Sequence, residues 1–140
     1  MVENDTGMKK TALITGASSG IGYELARVFA REGHDVVLTA RTKESLDKLA
    51  RELQGSHSVR AISLPADLSD SRAADQIHAT LEEERVRINL LVNNAGFGTH
   101  GPFSEAELTS QLRMMQVNMT ALVHLTRLFL PDMVKRGEGR

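Results

Sequence analysis

Apolar residues along this chain fall into short continuous runs that alternate with stretches of helical spacing. The runs are rich in β-forming residues and predict four strands, at residues 11–14, 36–38, 59–64 and 88–92. After each run, apolar residues recur every three or four positions, which is typical of an amphipathic helix. The first of these helices is expected to end at Gly33 and the second before Gly55.

The two remaining helices differ in length. Asp70 can cap a helix that carries Ile77 and Leu81. Beyond a glycine-rich loop at residues 96–102, one long helix is predicted from about Ser104 to near Gly137. The positions that give it helical spacing are Leu108, Leu112, Met115, Met119, Leu122, Thr126, Phe129 and Met133.

A strand–helix unit that repeats along the chain indicates a parallel sheet, because parallel strands need crossover connections. Continuous rather than alternating apolar strands indicate burial on both faces of that sheet. We therefore predict an α/β fold, a Rossmann-type doubly wound parallel sheet of four β-α units. Residues 9–140 form one domain in this interpretation, and residues 1–8, which are polar, form a disordered tail.

The composition narrows the possible partners. Lys and Arg (17) nearly balance Asp and Glu (18) and are scattered, which argues against nucleic acid or an anionic membrane as a partner. No apolar run approaches the ~18 residues that span a bilayer. The absence of cysteine excludes disulfides and favours a cytoplasmic location, and the five dispersed histidines predict no metal site. A small-molecule partner is expected.

A glycine-rich segment, Thr15-Gly-Ala-Ser-Ser-Gly-Ile-Gly22, lies between the first predicted strand and the first helix. A helix N-terminus with a glycine approach binds phosphate well, since its backbone N–H groups are free and its dipole is positive. The segment therefore predicts a dinucleotide site, with these contact residues: Gly16, Ser18, Ser19, Gly20, Ile21 and Gly22. A glycine turn that binds nothing is the alternative, and a P-loop is disfavoured because no Gly-Lys-Ser/Thr follows.

The end of the second strand indicates which dinucleotide is bound. NAD binders place a carboxylate about 20 residues beyond the glycines, whereas NADP needs positive charge for its 2′-phosphate. That position falls near Ala40, and the next residue is Arg41. Arg41 can bind the phosphate through charge-assisted hydrogen bonds. NADP(H) is therefore favoured over NAD(H), the alternative for Arg41 being a solvated surface arginine.

With these elements in place, the chain resembles the short-chain dehydrogenase/reductase family. The resemblance rests on four motifs that run from residue 8 to the end: the glycine segment, Asp67-Leu68, Asn93-Asn-Ala-Gly96, and Asn118 within Val-Asn-Met. An S-adenosylmethionine methyltransferase shares a glycine loop after its first strand, but it does not explain this combination.

The resemblance implies further site residues. Asp67 and Leu68 would flank the adenine ring, and Asn93, Ala95 and Gly96 would lie in the segment beside the cofactor ribose and nicotinamide. Asn118 would be the catalytic asparagine of the family, which holds a water in the proton relay. Without the resemblance, Asp67 is an ordinary loop acid and Asn118 a helix residue with local hydrogen bonds.

The family would also use its long helix, here residues 104–136, as a subunit interface, which implies a homo-oligomer for an intact parent protein. Its reaction transfers a hydride between nicotinamide and a carbonyl or alcohol carbon, aided by a serine and by Tyr-x-x-x-Lys. The only tyrosine is Tyr23, followed four positions later by Arg27, so it does not match that motif. We therefore expect the N-terminal, cofactor-binding portion of a reductase that stops before a fifth strand. The alternative is a non-catalytic dinucleotide-binding or interaction module.

Overall fold

The computed structural model describes residues 9–140, so the predicted tail at residues 1–8 lies outside the described residues. The strands are β1 (Thr11–Thr15), β2 (Asp35–Thr39), β3 (Ala61–Ser63) and β4 (Leu90–Val92). The α-helices are α1 (Gly20–Arg31), α2 (Lys43–Ser56), α3 (Ala73–Glu83), α4 (Leu108–Met115) and α5 (Ala121–Arg136). A 3-10 turn at Phe103–Glu105 precedes α4, and a π-helical segment at Gln116–Thr120 joins α4 to α5.

All strand pairs are parallel, and the strand order is β3-β2-β1-β4. The chain thus moves outward from β1 to β3 and then crosses back to place β4 on the other side of β1. Ile14 of β1 pairs with Leu38 on one side and with Val92 on the other. This arrangement confirms the predicted Rossmann-type parallel sheet, and it places a strand-order reversal between β1 and β4.

Both faces of the sheet are covered by helices. Residues of β1 alternate between the faces: Ile14 packs with Leu49 of α2, whereas Leu13 packs with Ile77 of α3 and Leu125 of α5. Each of these side chains is almost fully buried. Burial on both faces explains why the strands are continuously apolar rather than alternating.

The outer edge of β4 pairs with the backbone of the last residue. Arg140 N–H donates to the carbonyl of Asn89 (3.0 Å), and Leu91 N–H donates to the carbonyl of Arg140 (2.8 Å). This is the ladder pattern of a parallel pair. Residue 140 therefore pairs with β4 through its backbone, although residues 138–140 are not assigned as a strand.

Three predicted boundaries need correction. Helix α2 runs through Gly55 to Ser56, because a single glycine costs a helix only about 1 kcal/mol. The third and fourth strands are shorter than predicted, beginning at Ala61 and Leu90. The cap predicted at Asp70 lies one turn too early: its Oδ1 accepts from the N–H of Arg72 (2.9 Å) in the turn before α3, whereas α3 begins at Ala73 with Arg72 as its N-cap and no side-chain capping bond.

The long helix also differs from its prediction. It begins at Leu108 rather than near Ser104, because Ala106 and Glu107 are extended (ψ 135° and 126°) and separate the 3-10 turn from the helix. Its predicted end is confirmed at Gly137, a left-handed cap (φ 69°).

The apolar positions of this helix do not form one buried stripe. The side chains buried against the sheet and α3 are those of Ala121, Leu125, Phe129 and Met133. Five of the predicted positions, all in the first half, are between 41% and 71% exposed: Leu108, Leu112, Met115, Met119 and Leu122. A π-helical turn inserts one extra residue, so it changes which positions face the core.

Candidate functional site

A cavity of about 430 Å³ lies at the carboxyl ends of the strands, beside the strand-order reversal. This is where open α/β sheets bind their ligands. Ten of the residues predicted for a cofactor line it: Gly16, Ser18, Ser19, Gly20, Ile21, Arg41, Asp67, Leu68, Ala95 and Gly96. The fold therefore brings together motifs that are up to 80 residues apart in the chain.

The glycine loop supplies the free backbone donors of this cavity. Gly16 and Gly20 have positive φ angles (67° and 58°), which favour glycine. Helix α1 begins at Gly20, and Ser19 makes no side-chain capping bond, so N–H groups of the first turn remain open. These groups and the helix dipole can bind a pyrophosphate.

Gly22 has a different role, because it is buried and does not line the cavity. A Cβ at this position would lie 2.5 Å from Asn94 Nδ2 and 2.8 Å from the carbonyl carbon of Gly16, and it would overlap the Gly16 oxygen. Gly22 thus allows α1 to pack closely against the glycine turn and the segment after β4.

Thr15 connects the glycine loop to the segment after β4. Its hydroxyl donates to the carbonyl of Val92 (3.3 Å) and accepts from the N–H groups of Asn94 (3.0 Å) and Ala95 (2.9 Å). Asn94 Nδ2 in turn donates to the carbonyls of Thr15 (3.0 Å) and Gly16 (3.4 Å). Thr15 and Asn94 were absent from the predicted contact residues, although both lie inside the motifs that carry the resemblance.

Asn93 lies outside the cavity wall, and its contacts are structural. Its Nδ2 donates to Thr126 Oγ1 (3.1 Å), which itself donates to the carbonyl of Leu122 (2.7 Å). This bond ties the end of β4 to α5. The cofactor contact expected for Asn93 stays a prediction about the backbone of this segment, since its side chain bonds to α5, whereas Asn94 lines the cavity.

The end of β2 forms the positively charged side of the cavity. Arg41 and Thr42 line it, and α2 begins immediately afterwards at Lys43. Thr42 makes no side-chain capping bond, so this second helix N-terminus also has open N–H groups. Lys43 itself is bonded to Asp47, one turn further into the helix. Arg41 forms no ion pair with any residue of the described range 9–140.

Asp67 is held in a fixed orientation by Ser69. The Ser69 backbone N–H and hydroxyl both donate to Asp67 Oδ1 (2.9 and 2.8 Å). The backbone bond is the main cause of a lowered pKa for Asp67, and the charges of Arg41 and Arg113 lower it further. The carboxylate is therefore ionised near neutrality, and its Oδ2 is available to a ligand.

Asn118 lies in the π-helical segment and bonds to the loop after Gly96. Its Nδ2 donates to the carbonyl of Phe97 (2.8 Å), and its Oδ1 accepts from the N–H of Phe97 (3.0 Å). Both amide groups are thus used to position Phe97, which lines the cavity. The predicted catalytic role of Asn118 stays a prediction, although π-helical turns are frequent at functional sites.

Tyr23 has a structural position away from the cavity. Its hydroxyl donates to Glu52 Oε2 (3.1 Å), which joins α1 to α2, and Arg27 pairs with Glu52 Oε1 (3.2 Å). Tyr23 does not line the cavity. The sequence-based conclusion that it is not the catalytic tyrosine of the resembled family agrees with this placement.

Several cavity residues were not predicted from the sequence. They are Thr39, Ala40, Thr42, Ala66, Ser69, Asn94, Phe97, Arg113 and Val117. Most of them are next to a predicted residue in the sequence, and this position in the chain is the signal that could have identified them. Val117 precedes Asn118 in the Val-Asn-Met motif, whereas Arg113 comes from α4 and lies in none of the motifs.

Residues 9–140 contain neither a metal cluster nor a membrane span. In this range no three His, Asp or Glu side chains are grouped so that they could hold a metal ion. None of the helices described is both long and apolar enough to cross a membrane.

A family model for short chain dehydrogenases matches residues 10–140. The chain belongs to the short-chain dehydrogenase family. An oxidoreductase named UcpA from Salmonella typhimurium is 40% identical over 131 residues, covering 94% of this chain and 49% of the relative.

Solved structures of the family have the same fold. A short-chain dehydrogenase from Sphingobium yanoikuyae in complex with NADPH is 42% identical, with a TM-score of 0.87, over 93% of this chain and 50% of that one. L-sorbose reductase from Gluconobacter frateurii, complexed with NADPH and L-sorbose, is 34% identical, with a TM-score of 0.87, over 97% and 52%. This short-chain dehydrogenase chain therefore spans about half the length of these relatives.

Proposed function

We propose that residues 9–140 are the NADP(H)-binding domain, and the N-terminal portion, of a short-chain dehydrogenase/reductase. The observation that carries the proposal is that the N-terminus of α1, with its open N–H groups, lines the same cavity as Arg41 and Asp67. These three elements have the chemistry to bind a pyrophosphate, a 2′-phosphate and an adenine ring. The NADPH in the related Sphingobium and Gluconobacter structures supports the same cofactor here.

The preference for NADP(H) over NAD(H) rests on Arg41 and its surroundings. Arg41 has no ion-pair partner within residues 9–140, so its charge is available to a phosphate. The adjacent N-terminus of α2 adds open N–H groups and a positive dipole end. Near the end of β2 the carboxylate that binds the ribose of NAD is replaced by Ala40 and Arg41.

The reaction proposed for the whole protein is hydride transfer between the nicotinamide and the carbon of a small carbonyl or alcohol substrate. Ala95, Gly96 and Phe97 would border the nicotinamide side, and Asn118 holds Phe97 in place. A general acid must supply the proton at the substrate oxygen. The absence of a general acid alone lowers the rate roughly 10²- to 10⁴-fold. We therefore propose that residues 1–140 alone bind cofactor without significant turnover.

A non-catalytic dinucleotide-binding module would bind the same cofactor. The encoding DNA downstream of the Arg140 codon distinguishes the two functions. A continuing frame with a serine and then Tyr-x-x-x-Lys supports the reductase, and a stop codon supports the module. The cytoplasmic location favoured by the cysteine-free composition stays a prediction.

Arg41→Ala is expected to remove the preference for NADPH. A hydrogen bond to a charged group contributes about 1.5–3 kcal/mol, so NADPH affinity should fall by roughly 10- to 100-fold while NADH affinity stays within about twofold. Titration of cofactor fluorescence with both nucleotides measures this. Arg31→Ala is the control, because Arg31 is a surface residue of α1 whose one ion pair within residues 9–140 is with Glu32. Equal losses for both nucleotides in Arg41→Ala would contradict the assignment.

We further propose that the exposed apolar side of α4 and α5 pairs with a second copy in the parent protein. Large apolar side chains exposed along one helix are typical of an interface. Leu122→Glu is expected to weaken self-association at least tenfold, because it places a charge in an apolar contact, whereas Thr109→Glu should have little effect. Sedimentation velocity over a concentration series checks both variants, and equal behaviour of the two would argue against this interface.

A further inference from the structure

The end of the cavity near Asp67 has a second wall, formed by the long helix. Arg113 of α4 and Val117 of the π-helical segment lie one helical turn apart, and both line the cavity. Asp67 and Leu68 line the same cavity from the loop after β3. No motif of the resembled family includes Arg113.

The helix and the loop are connected next to this point. Gln116 Nε2 donates to the carbonyl of Leu68 (3.5 Å), which holds the end of α4 against the loop. Arg113 lies three residues before Gln116 on the same continuous helical stretch, so this hydrogen bond limits its distance from the loop that carries Asp67. Its position is better defined than that of an arginine on a free loop.

Arg113 and Asp67 line the same cavity but form no ion pair with each other. Arg113 is near enough to lower the pKa of Asp67, yet it forms no ion pair with Asp67 or with any other residue of the described range. Ser69 occupies Asp67 Oδ1 and leaves Oδ2 open. Within residues 9–140, the loop after β3 thus contributes a free carboxylate oxygen to the cavity wall, and α4 contributes an unpaired guanidinium to the same cavity.

We infer that Arg113 is an additional cofactor-binding residue, which covers the adenine ring while Asp67 accepts from the exocyclic amine. The inference rests on the proposed NADP(H) function. A guanidinium group is planar and weakly hydrated, and it stacks on aromatic faces, including those of nucleobases. Adenine offers a π-face to Arg113 and an amine donor to Asp67.

Arg113 and Arg41 then act on different parts of the cofactor. Arg41 follows β2 and acts on the 2′-phosphate, which only NADP(H) carries. Arg113 acts on the adenine, which NADP(H) and NAD(H) share. Arg41 determines cofactor selectivity, and Arg113 raises the affinity for both cofactors by the same factor.

The test measures NADPH, NADH and 5′-AMP binding to Arg113→Ala and to the wild-type chain. Cation–π contacts at partly exposed sites predict a roughly 3- to 10-fold loss of affinity, equal for the three ligands. Arg113→Lys keeps the charge near Asp67 without the planar group, so it should bind no better than Arg113→Ala. Arg127→Ala, an exposed arginine of α5 outside the cavity wall, should bind as the wild type does.

Each other outcome has a separate meaning. A loss confined to NADPH would assign Arg113 to the 2′-phosphate, and full rescue by lysine would show that it acts through its charge on Asp67. Either result overturns stacking on adenine, as does unchanged binding in Arg113→Ala. If the wild-type chain itself binds neither dinucleotide, the proposed function fails and this inference fails with it.

Discussion

Gly22→Ala is expected to destabilise the fold by about 2–3 kcal/mol and to abolish measurable NADPH binding. The added Cβ would overlap the carbonyl oxygen of Gly16 and lie 2.5 Å from Asn94 Nδ2, and neither neighbour can yield easily. The Gly16 oxygen belongs to the backbone of a left-handed turn. The side-chain amide of Asn94 donates hydrogen bonds to two carbonyls. Overpacking of this kind costs about 1–3 kcal/mol and occasionally more.

Loss of cofactor binding follows from the same displacement. A shift of α1 away from Gly16 moves the open N–H groups at its first turn, and these are the proposed phosphate donors. Urea unfolding measures the stability change, and NADPH titration of the folded variant measures the binding change. A variant that binds NADPH with wild-type affinity would refute the close approach at Gly22.

Gly55→Ala is the matched control for this substitution. Gly55 lies in α2, and a Cβ there meets nothing within 4 Å. Alanine in a helix is more stable than glycine by roughly 0.5–1 kcal/mol, so this variant should gain stability by that amount. The opposite signs expected for two glycine-to-alanine changes distinguish a steric effect from a general response to substitution.

The sheet could be predicted from the sequence because its signal is local. Each strand is a continuous apolar run, and each crossover is a helix of ordinary length, so a parallel sheet is the simplest arrangement. The glycine segment could be assigned to a dinucleotide for the same reason, since its strand and helix are its immediate neighbours. The contact between Gly22 and Asn94, in contrast, joins two residues that are far apart in the chain, and it depends on the strand order.

The long helix was less predictable because its apolar positions include both exposed and buried side chains. Exposed Leu112 and Met119 and buried Leu125 and Phe129 all follow helical spacing, and spacing alone does not say which face meets the core. The π-helical segment shifts the register between them, and nothing in the residues 116–120 indicates it.

The adjacent asparagines Asn93 and Asn94 illustrate a different limit. Both follow β4, where the N–H of Asn94 donates to the carbonyl of Val92 (3.0 Å) and closes a tight turn around Asn93. Asn94 bonds to the glycine loop and Asn93 to Thr126 of α5. Which of the two reaches the cavity depends on this turn and on the position of β4 beside β1, and two adjacent asparagines in the sequence indicate neither.

Thr15→Val is expected to cost about 1–3 kcal/mol of stability and to weaken NADPH binding. The hydroxyl of Thr15 donates to the carbonyl of Val92 and accepts from the N–H groups of Asn94 and Ala95. Valine has nearly the same shape, so the change removes these bonds without leaving a cavity. The N–H of Asn94 keeps its bond to the carbonyl of Val92 (3.0 Å), so the N–H of Ala95 is the group that loses its partner, which costs about 1–3 kcal/mol. Because Ala95 lines the cavity, a shift of this segment also disturbs the cofactor site.

Thr39→Val provides the comparison that isolates the hydroxyl. Thr39 pairs with Thr15 in the register of β1 and β2, and both residues are 1% exposed. The hydroxyl of Thr39 is buried without a hydrogen-bond partner among the described residues, so replacing it by a methyl group should be neutral or stabilise the fold by up to about 1 kcal/mol. Thr15→Ser keeps the hydroxyl and should recover most of the loss. Equal destabilisation by Thr15→Val and Thr39→Val would show that the two threonines matter through packing, and Thr15 would then have no special role in holding the segment after β4.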